Sequence, residues 1–383
     1  MYGKISLLWV PVTAAMLFFG GCRGNAGKPG NYGEELYRPG YSAGFSLYEA
    51  GDSSSVLVIR NPWQGAENVT TELFLSSGGE KAPKEFRGVS VSVPLEKVVC
   101  LSSSHVAFID ALGRTSAIAG VSGPRYISNR EILRRYGEGK VADVGYDTNL
   151  NYELLASLRP DLVFIYGVGG ENTAVTGKLK ELGIKVVYIG EYLEDTPLGK
   201  AEWIIPFGQL FGMLDEAEDM FGRIAARYEE LKDMADNFEN KPKVMLNSPY
   251  RDVWFVPGGK SYMAALIADA GGEYIYDDND SSVSMPISGE AAYLAVGGAD
   301  VWLNPNQART IKELTAQNPK FSNVPAVERR QVYNATKRST EGGGSDFWES
   351  GVLRADRVLE DMIIMLHPGI IPDGELYYFE RLE

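Results

Sequence analysis

The sequence predicts an α/β fold in which two similar α/β lobes are joined by one long helix and preceded by a small N-terminal β appendage. From residue 96 onward, short apolar strands alternate with helical stretches, which is the pattern of parallel β-α-β units. The alternation stops at a long periodic stretch and restarts near residue 243. Ahead of residue 96, short alternating stretches separated by turn residues indicate antiparallel strands.

The N-terminus is typical of a secretory signal. One early charge, Lys4, precedes an apolar run that ends in Phe19-Gly20-Gly21-Cys22. The run is short for a transmembrane helix, which needs roughly 20 residues, although a retained membrane anchor is the alternative. The last four residues resemble a bacterial lipobox, in which the cysteine becomes the lipidated first residue. Cys22 is therefore the predicted lipid anchor, and the sequence leaves open which membrane leaflet holds it.

Composition excludes several functional classes. The net charge of −14 and the lack of a basic run argue against nucleic-acid binding. The chain has two cysteines, so lipidation of Cys22 leaves Cys100 without a disulfide partner. Cys100 lies in an apolar run and is expected to be a buried strand thiol. Two histidines are too few for a His-rich zinc-capture site, and no metal or organic cofactor is expected.

A long helix divides the chain into segments. Between Asp215 and Asn237, the residues Met220, Ile224, Tyr228 and Leu231 recur at helical spacing. A helix of that length reaches roughly 33 Å, enough to join two lobes while limiting hinge motion. The predicted segments are a signal peptide (1–21), a tether (22–39), a β segment (40–95), an N-terminal lobe (96–198), a linking helical region (199–238) and a C-terminal lobe (239–383).

Several local motifs resemble one known family. They are Val98-Val99-Cys100-Leu101-Ser102-Ser103-Ser104, Ala119-Gly120-Val121-Ser122, Asn151-Tyr152-Glu153-Leu154-Leu155 with Arg159-Pro160-Asp161-Leu162-Val163, Asp269-Ala270-Gly271-Gly272, and Ile287-Ser288-Gly289-Glu290. Their order is similar to that of the iron-complex and cobalamin periplasmic-binding family, the helix-linked class III substrate-binding proteins of ABC transporters. The resemblance covers about residues 96–366.

The resemblance implies a function. It predicts an extracytoplasmic lipoprotein, monomeric and non-enzymatic, that binds an iron chelate (a siderophore or haem) or a corrinoid between its lobes. The expected partners are a permease dimer with its ATPase. Two alternatives stay open: permease-independent capture or sensing by the same fold, and an α/β hydrolase. The resemblance gives no role to residues 40–95.

The resemblance also assigns two acidic residues. In the family, one glutamate on each lobe docks onto the permease, and the matching positions are Glu153 and Glu290. Charge pairs at an interface rim set orientation and association rate. The alternative is that each is an ordinary acid favoured by the dipole at a helix N-terminus.

Ligand-binding candidates follow strand ends, where open α/β sheets bind ligands. They are Arg125, Tyr126, Tyr146, Tyr166, Tyr250, Arg251, Trp254, Met285, Lys337, Arg338 and Trp348. Aromatic side chains suit a large flat ligand, and basic side chains suit its carboxylate, phosphate or catecholate groups. The basic residues favour an anionic iron chelate over a corrinoid, although each candidate alone could be an ordinary loop side chain.

The two histidines receive structural interpretations. His105 follows three serines at a predicted helix start, which raises the hydrolase alternative. The G-x-S-x-G elbow of that class is absent, so we expect a serine helix cap with a packed histidine, and contact with ligand stays open. His367 lies at a predicted helix end, where capping is expected.

Overall fold

The computed structural model of the chain describes residues 32–146, 149–250, 253–305, 308–317 and 319–383. The predicted signal peptide, the lipidation candidate Cys22 and most of the predicted tether therefore lie outside the described residues, as does Arg251. Within the described ranges, no helix combines the length and the apolar character that crossing a bilayer requires.

The N-terminal appendage is a five-stranded sheet in which each strand pairs with the next. Its strands are β1 (Glu35–Tyr37), β2 (Phe45–Gly51), β3 (Ser54–Arg60), β4 (Thr70–Ser76) and β5 (Val89–Ser92). Neighbours run antiparallel except β4 and β5, which are parallel. Strand β1 lies within the predicted tether (22–39). Its three residues are too few to show the alternation by which strands are detected in a sequence.

The N-terminal lobe is a parallel sheet of five strands in the order β10-β9-β6-β7-β8. The strands are β6 (Val98–Cys100), β7 (Ile118–Val121), β8 (Ala142–Asp143), β9 (Leu162–Ile165) and β10 (Val186–Tyr188). The helices are α1 (Ser103–Ala111), α2 (Arg130–Gly137), α3 (Tyr152–Leu158) and α4 (Thr173–Glu181). All residues of β6 and β9 are buried, as expected for central strands covered on both faces.

Three helices form the link between the lobes. They are α5 (Pro197–Ala201), α6 (Ile204–Leu210) and α7 (Leu214–Asp236). Helix α7 buries a stripe that includes Ile224, Tyr228 and Leu231, which confirms the periodicity in the sequence. The helix begins after Met213, so Asp215, where the periodic stretch begins, lies in its first turn.

The C-terminal lobe repeats the α/β pattern with a sheet in the order β14-β11-β16-β17-β18 and a small antiparallel sheet, β12-β13-β15. The strands are β11 (Lys243–Leu246), β12 (Pro249–Tyr250), β13 (Val253–Val256), β14 (Glu273–Tyr274), β15 (Met285–Ile287), β16 (Val301–Leu303), β17 (Val332–Asn334) and β18 (Glu380–Arg381). The helices are α8 (Tyr262–Asp269), α9 (Gly289–Gly297), α10 (Ile311–Gln317), α11 (Pro325–Glu328) and α12 (Ala355–Leu366).

The two lobes are built alike. In the five-stranded sheet of each lobe, the first strand in chain order lies between the second strand of that sheet and a later one. Strand β6 lies between β7 and β9, and β11 lies between β14 and β16. Helix α3 precedes β9, and helix α9 precedes β16, so these two helices occupy matching positions. The predicted architecture of two similar α/β lobes, one long linking helix and an N-terminal β appendage is confirmed.

Two glutamates fasten the appendage to the link. The carboxylate of Glu202 accepts hydrogen bonds from the Tyr37 hydroxyl (2.8 Å) and from the backbone N–H groups of Gly40, Tyr41 and Ser42. Glu202 is 1% exposed. The appendage also buries Phe45 edge-on against Trp203, with 5.4 Å between ring centroids. The sheet is therefore part of the same core as the linking helices.

A second carboxylate acts in the same way. Glu194 accepts from the indole N–H of Trp203 (2.9 Å), from the Ser42 hydroxyl and from the N–H of Gly44 (3.1 Å). Tyr41 extends the contact to α7, because its hydroxyl donates to Glu229 and its ring meets Phe221 edge-on. The appendage thus contacts the long helix as well as the helices before it.

Replacing Glu202 by alanine removes the acceptor of four partly buried hydrogen bonds. We expect Glu202→Ala to lower the free energy of unfolding by about 3 kcal/mol, since each such bond contributes about 0.5–1.5 kcal/mol. Urea unfolding followed by circular dichroism measures the change. Glu229→Ala, which removes one exposed hydrogen bond from the same loop, is the control, and equal small effects of both variants would contradict this account.

Candidate functional site

The carboxyl ends of the N-terminal-lobe strands enclose a small cavity of about 90 Å³. It is lined by Leu101, Ser122, Leu150, Ile165, Tyr166, Gly167, Val168, Gly170, Asn172 and Val175. Most of these residues follow β6, β7 or β9 or belong to the adjoining loops, while Ile165 ends β9 and Val175 lies in α4. The cavity therefore lies where a parallel α/β sheet offers a ligand site.

Tyr126 and Tyr146 form an aromatic pair beside this cavity. Their ring centroids are 6.0 Å apart, and the guanidinium of Arg125 lies 4.5 Å from the centre of the Tyr126 ring. Tyr146 is 47% exposed. The structure thus brings three predicted ligand-binding residues together as one exposed aromatic and cationic surface, which suits a flat anionic ligand.

Asp143 fixes the loops that carry these tyrosines. Its Oδ1 accepts hydrogen bonds from the N–H groups of Gly123 (3.3 Å) and Gly145 (3.0 Å), one in each loop. The Ser122 hydroxyl donates to the Gly145 carbonyl at 2.7 Å. Gly123 has φ of 57° and faces the Tyr126 ring, so a side chain there would be strained and would crowd the ring.

Tyr166 follows β9 and lines the small cavity. Its ring meets the ring of Tyr192 edge-on at 6.4 Å. Tyr192 follows β10, the neighbouring strand, and its hydroxyl accepts from the N–H of Gly167 at 3.2 Å. The position of Tyr166 is therefore set by the adjacent strand end as well as by its own strand.

A loop of the C-terminal lobe packs onto the aromatic pair. The Thr340 hydroxyl donates to the Arg125 carbonyl at 2.8 Å. Gly344 lies so close that a Cβ there would be 2.1 Å from the Tyr126 carbonyl oxygen. The predicted site residues after β7 are thus at a direct junction between the lobes, and Gly344 permits the close approach.

The prediction that Trp254 contacts a ligand is wrong for this fold. Trp254 is 1% exposed, stacks on Trp302 at 5.8 Å and donates its indole N–H to the Leu246 carbonyl. Alternation along β13 explains this, since Trp254 and Val256 face the core while Phe255, which is 45% exposed, faces outward. The two-residue period of the strand was the signal that predicts Phe255, and not Trp254, as the exposed aromatic residue of β13.

The other predicted residues of the C-terminal lobe are dispersed. Arg251 and the side chain of Tyr250 lie outside what the structure describes. Met285 is half-buried on β15, paired with Val256 of β13. The Lys337 ammonium donates to the Leu376 carbonyl. Of the candidates that the structure describes here, Met285 and Lys337 therefore have separate surroundings.

Arg338 and Trp348 lie in the segment that crosses to the other lobe. Arg338 is ion-paired with Asp346 at 2.5 Å and stacks over Tyr377, so its charge is already matched. Trp348 is 52% exposed and meets Phe347 edge-on at 4.5 Å. Arg338 lines a different cavity, of about 680 Å³, that lies between the lobes beside α7.

Glu349 ties the lobes together in that larger cavity. It is 2% exposed, and its Oε2 accepts from the N–H of Ser128 in the N-terminal lobe at 2.6 Å. Burial, together with the charges of Asp346 and Asp110, raises the pKa of Glu349 to about 8. This junction is therefore sensitive to proton concentration near neutral pH.

The serines at the start of α1 do not cap it as predicted. Ser102 is the N-cap residue but its side chain makes no capping bond. Instead the Ser104 hydroxyl donates to the buried carboxylate of Glu191, and burial raises the pKa of that carboxyl. His105 is completely buried between Phe164 and Phe207, and burial lowers its pKa to about 3. The serine and the histidine thus lack the pairing that a hydrolase needs.

His367 and Cys100 have structural surroundings. His367 ends α12, lies 4.1 Å from the Phe238 ring centre, and its Nε2 is 3.1 Å from the Ala270 carbonyl. Burial lowers the pKa of His367, so it is a packed residue and not a charged cap. Cys100 is a buried free thiol whose pKa is raised by burial. Among the described residues, no group of three or more His, Cys, Asp or Glu side chains is placed to hold a metal ion.

Glu153 and Glu290 occupy matching places in the two lobes. Each is the second residue of its helix, α3 or α9, and each is exposed. Asn151 and Ser288 cap these helices, accepting from the third N–H beyond the cap. Next to Glu290, Leu294 is 77% exposed. Both glutamates are thus presented on the surface by equivalent, capped helix starts.

Comparison with known proteins identifies the family. A family model described as periplasmic binding protein matches residues 98–339. The chain belongs to the periplasmic binding protein family. The match spans the N-terminal lobe, the linking helices and most of the C-terminal lobe, and it leaves the N-terminal sheet outside.

Relatives and solved structures agree with this assignment. An uncharacterized lipoprotein of Methanocaldococcus jannaschii is 28% identical over 76% of this chain and 69% of its own length. The petrobactin-binding protein of Bacillus subtilis is 23% identical over 70% of this chain and 80% of its own. A periplasmic heme-binding protein from Pseudomonas aeruginosa shares the fold, with a TM-score of 0.58, 18% identity and coverage of 76% and 98%.

The predicted kinship with the iron-complex and cobalamin binding proteins is confirmed. This periplasmic binding protein belongs to a family of substrate-binding proteins, not of enzymes. The fold and the family were both predictable from motifs distributed along the chain.

The raised pKa of Glu349 predicts a pH dependence of stability. Because the folded state favours the protonated carboxyl, its contribution is fully present below the ordinary pKa and is lost as pH rises through about 8. We expect Glu349→Gln, which keeps an oxygen to accept from Ser128, to melt several degrees above wild type at about pH 9 and close to it at about pH 5.

Differential scanning calorimetry across this pH range measures the effect. Glu341→Gln, an exposed glutamate in the same segment, is the matched control and should give no pH-dependent difference. A melting difference for Glu349→Gln that does not change with pH would contradict the assignment.

Proposed function

We propose that this binding protein is the lipid-anchored, extracytoplasmic component of an ABC importer that carries an iron chelate, either a siderophore or haem, or a corrinoid. The observation that carries the proposal is the exposed surface of Arg125, Tyr126 and Tyr146 at the junction of the lobes. It combines aromatic faces and positive charge at the strand ends of a two-lobed binding fold. No reaction on the ligand is involved.

An anionic ferric chelate is the favoured ligand. The net charge of the chain is −14, so a guanidinium on an aromatic surface is a local exception that would attract an anion. The relative from Bacillus subtilis is named a petrobactin-binding protein, and the similar structure from Pseudomonas aeruginosa is described as a heme-binding protein. Tyr166, Met285, Lys337 and Trp348 are the next candidates for contact, together with the outward-facing Phe255.

Cys22 is the proposed lipid attachment site. The lipobox-like Phe19-Gly20-Gly21-Cys22 supports it, and two similar proteins of Methanocaldococcus jannaschii are named lipoproteins. Twelve residues lie between Cys22 and the start of β1 at Glu35, and a segment of that length reaches at most about 45 Å. The binding lobes would therefore stay close to the membrane that holds the permease.

Glu153 and Glu290 are the proposed docking residues for a permease dimer. Their equivalent positions, one on each lobe, suit a partner with two similar subunits. The exposed Leu294 beside Glu290 would add apolar contact at the same surface. ATP hydrolysis by the partner ATPase would then drive release, and the helical link would keep the movement of the lobes small.

Titration of residues 23–383, the chain without its predicted signal peptide and lipidation cysteine, with haem, a panel of ferric siderophores and cobalamin tests the ligand. We expect one of these classes of compound to quench the tryptophan fluorescence at submicromolar concentration, because Trp63 and Trp348 are not buried in the core. Tyr126→Ala with Tyr146→Ala should weaken that binding about 10-fold, since an aromatic contact contributes about 0.5–1.5 kcal/mol.

Tyr136→Ala removes a comparably exposed tyrosine, at 43% exposure on α2, and should leave the affinity unchanged. A folded wild-type chain that responds to none of these compounds would overturn the proposed ligand class. Equal affinity of the double variant and wild type would overturn the proposed location.

The docking proposal predicts a separation of binding from transport. Glu153→Ala combined with Glu290→Ala should keep the ligand affinity of wild type and abolish most uptake by cells that carry the cognate permease. Radiolabelled-chelate uptake measures this. Glu181→Ala with Glu328→Ala, two exposed glutamates on the two lobes, is the control. Full uptake by the docking variant would favour capture or sensing without a permease.

A further inference from the structure

The loop between β3 and β4 of the N-terminal appendage reaches the candidate ligand site. It folds on itself, with the Asn61 N–H donating to the Val69 carbonyl at 2.7 Å and the Ala66 N–H to the Trp63 carbonyl at 3.0 Å. These bonds make residues 61–69 a compact projection. Its tip, formed by Trp63 and Gln64, contacts the N-terminal lobe.

Gln64 holds the loop that follows β9 at two points. Its backbone N–H donates to the Gly167 carbonyl at 3.0 Å, and its side-chain Oε1 accepts from the N–H of Gly169 at 3.1 Å. Gly167 and its neighbour Tyr166 line the small cavity at the strand ends. Each bond therefore runs from the appendage directly to a wall of that cavity or to the residue beside it.

Trp63 packs against the same loop. Its ring lies 5.0 Å from that of Tyr188, and its Cβ is so near Gly167 that a Cβ added there would lie 2.5 Å away. The Tyr188 hydroxyl in turn accepts from the N–H of Asn172 at 3.0 Å, at the far end of the loop. Trp63 thus supports the loop at its start, and Tyr188, which Trp63 contacts, supports the loop at its end.

The loop needs such support because of its composition. Gly167, Gly169 and Gly170 occur within four residues, and Gly169 and Gly170 have φ of 81° and 131°. Glycine restricts the backbone less than any other residue, so this conformation is not fixed by its own sequence. Contacts from outside the loop must select one arrangement.

We infer that Trp63 and Gln64 are positioning residues for ligand binding, through which the appendage holds the glycine-rich loop 166–172 in the shape that the ligand meets. This inference rests on the proposed function for its ligand. It gives the N-terminal sheet, which lies outside the family match, a role in setting affinity and selectivity.

The inference is tested with Gln64→Ala and Trp63→Ala. Two controls accompany them: Gln64→Glu retains an acceptor for the N–H of Gly169, and Glu67→Ala changes another residue of the same projection. Titration uses the panel of haem, ferric siderophores and cobalamin. We expect Gln64→Ala to weaken the wild-type interaction about 5-fold, the factor that one hydrogen bond contributes, with an unchanged melting temperature. Gln64→Glu and Glu67→Ala should bind as wild type does.

Hydrogen–deuterium exchange of the unliganded chain supplies a readout that needs no ligand. The amides of Gly167 and Gly169 should exchange faster in Gln64→Ala and Trp63→Ala and at the wild-type rate in Glu67→Ala. Unchanged exchange in both Gln64→Ala and Trp63→Ala overturns the inference. If a compound of the panel binds the wild type, wild-type affinity of these two variants for it overturns the inference as well. A wild-type chain that binds none of the panel overturns the proposed function, while the exchange result still decides whether Gln64 holds the loop.

Discussion

The structure depends on a helical link that is packed against the two lobes and against the N-terminal sheet. Helices α5 to α7 join the lobes, and the buried carboxylate of Glu202 attaches the N-terminal sheet to them through four hydrogen bonds. A link of packed helices resists bending more than a pair of extended strands, because each bend would disrupt the core that includes Trp203. We therefore expect the lobes to keep nearly one separation, which would set the shape of the cleft before a ligand binds.

With the separation fixed, the loops at the strand ends would decide how a ligand binds. The proposed ligand surface on the N-terminal lobe is held by polar contacts: Asp143 orders the loops of Tyr126 and Tyr146, and Gln64 holds the loop after β9. The opposite lobe closes against this surface through Thr340 and Gly344. Preorganised loops lower the entropy cost of binding a rigid chelate.

The sequence predicted the architecture well because its signals are local. Alternating strands and helices, and the stripe on α7, depend only on neighbouring residues. Of the candidate site residues, Arg125, Tyr126 and Tyr146 lie together, but Trp254 turns into the core because side chains alternate along β13. The contact between Gln64 and Gly169 joins residues far apart in the chain, and no pattern in a single sequence reports such a contact.

The proposed function depends on a chelate that binds between the lobes at the strand ends. Hydrogen–deuterium exchange of residues 23–383, with and without the compound that binds best, tests this directly. Binding at this place should give ligand-dependent protection in segments 122–126, 144–146 and 166–172, together with 337–348 of the opposite lobe. Protection confined to the larger cavity beside α7, around Glu349 and Arg354, would contradict it.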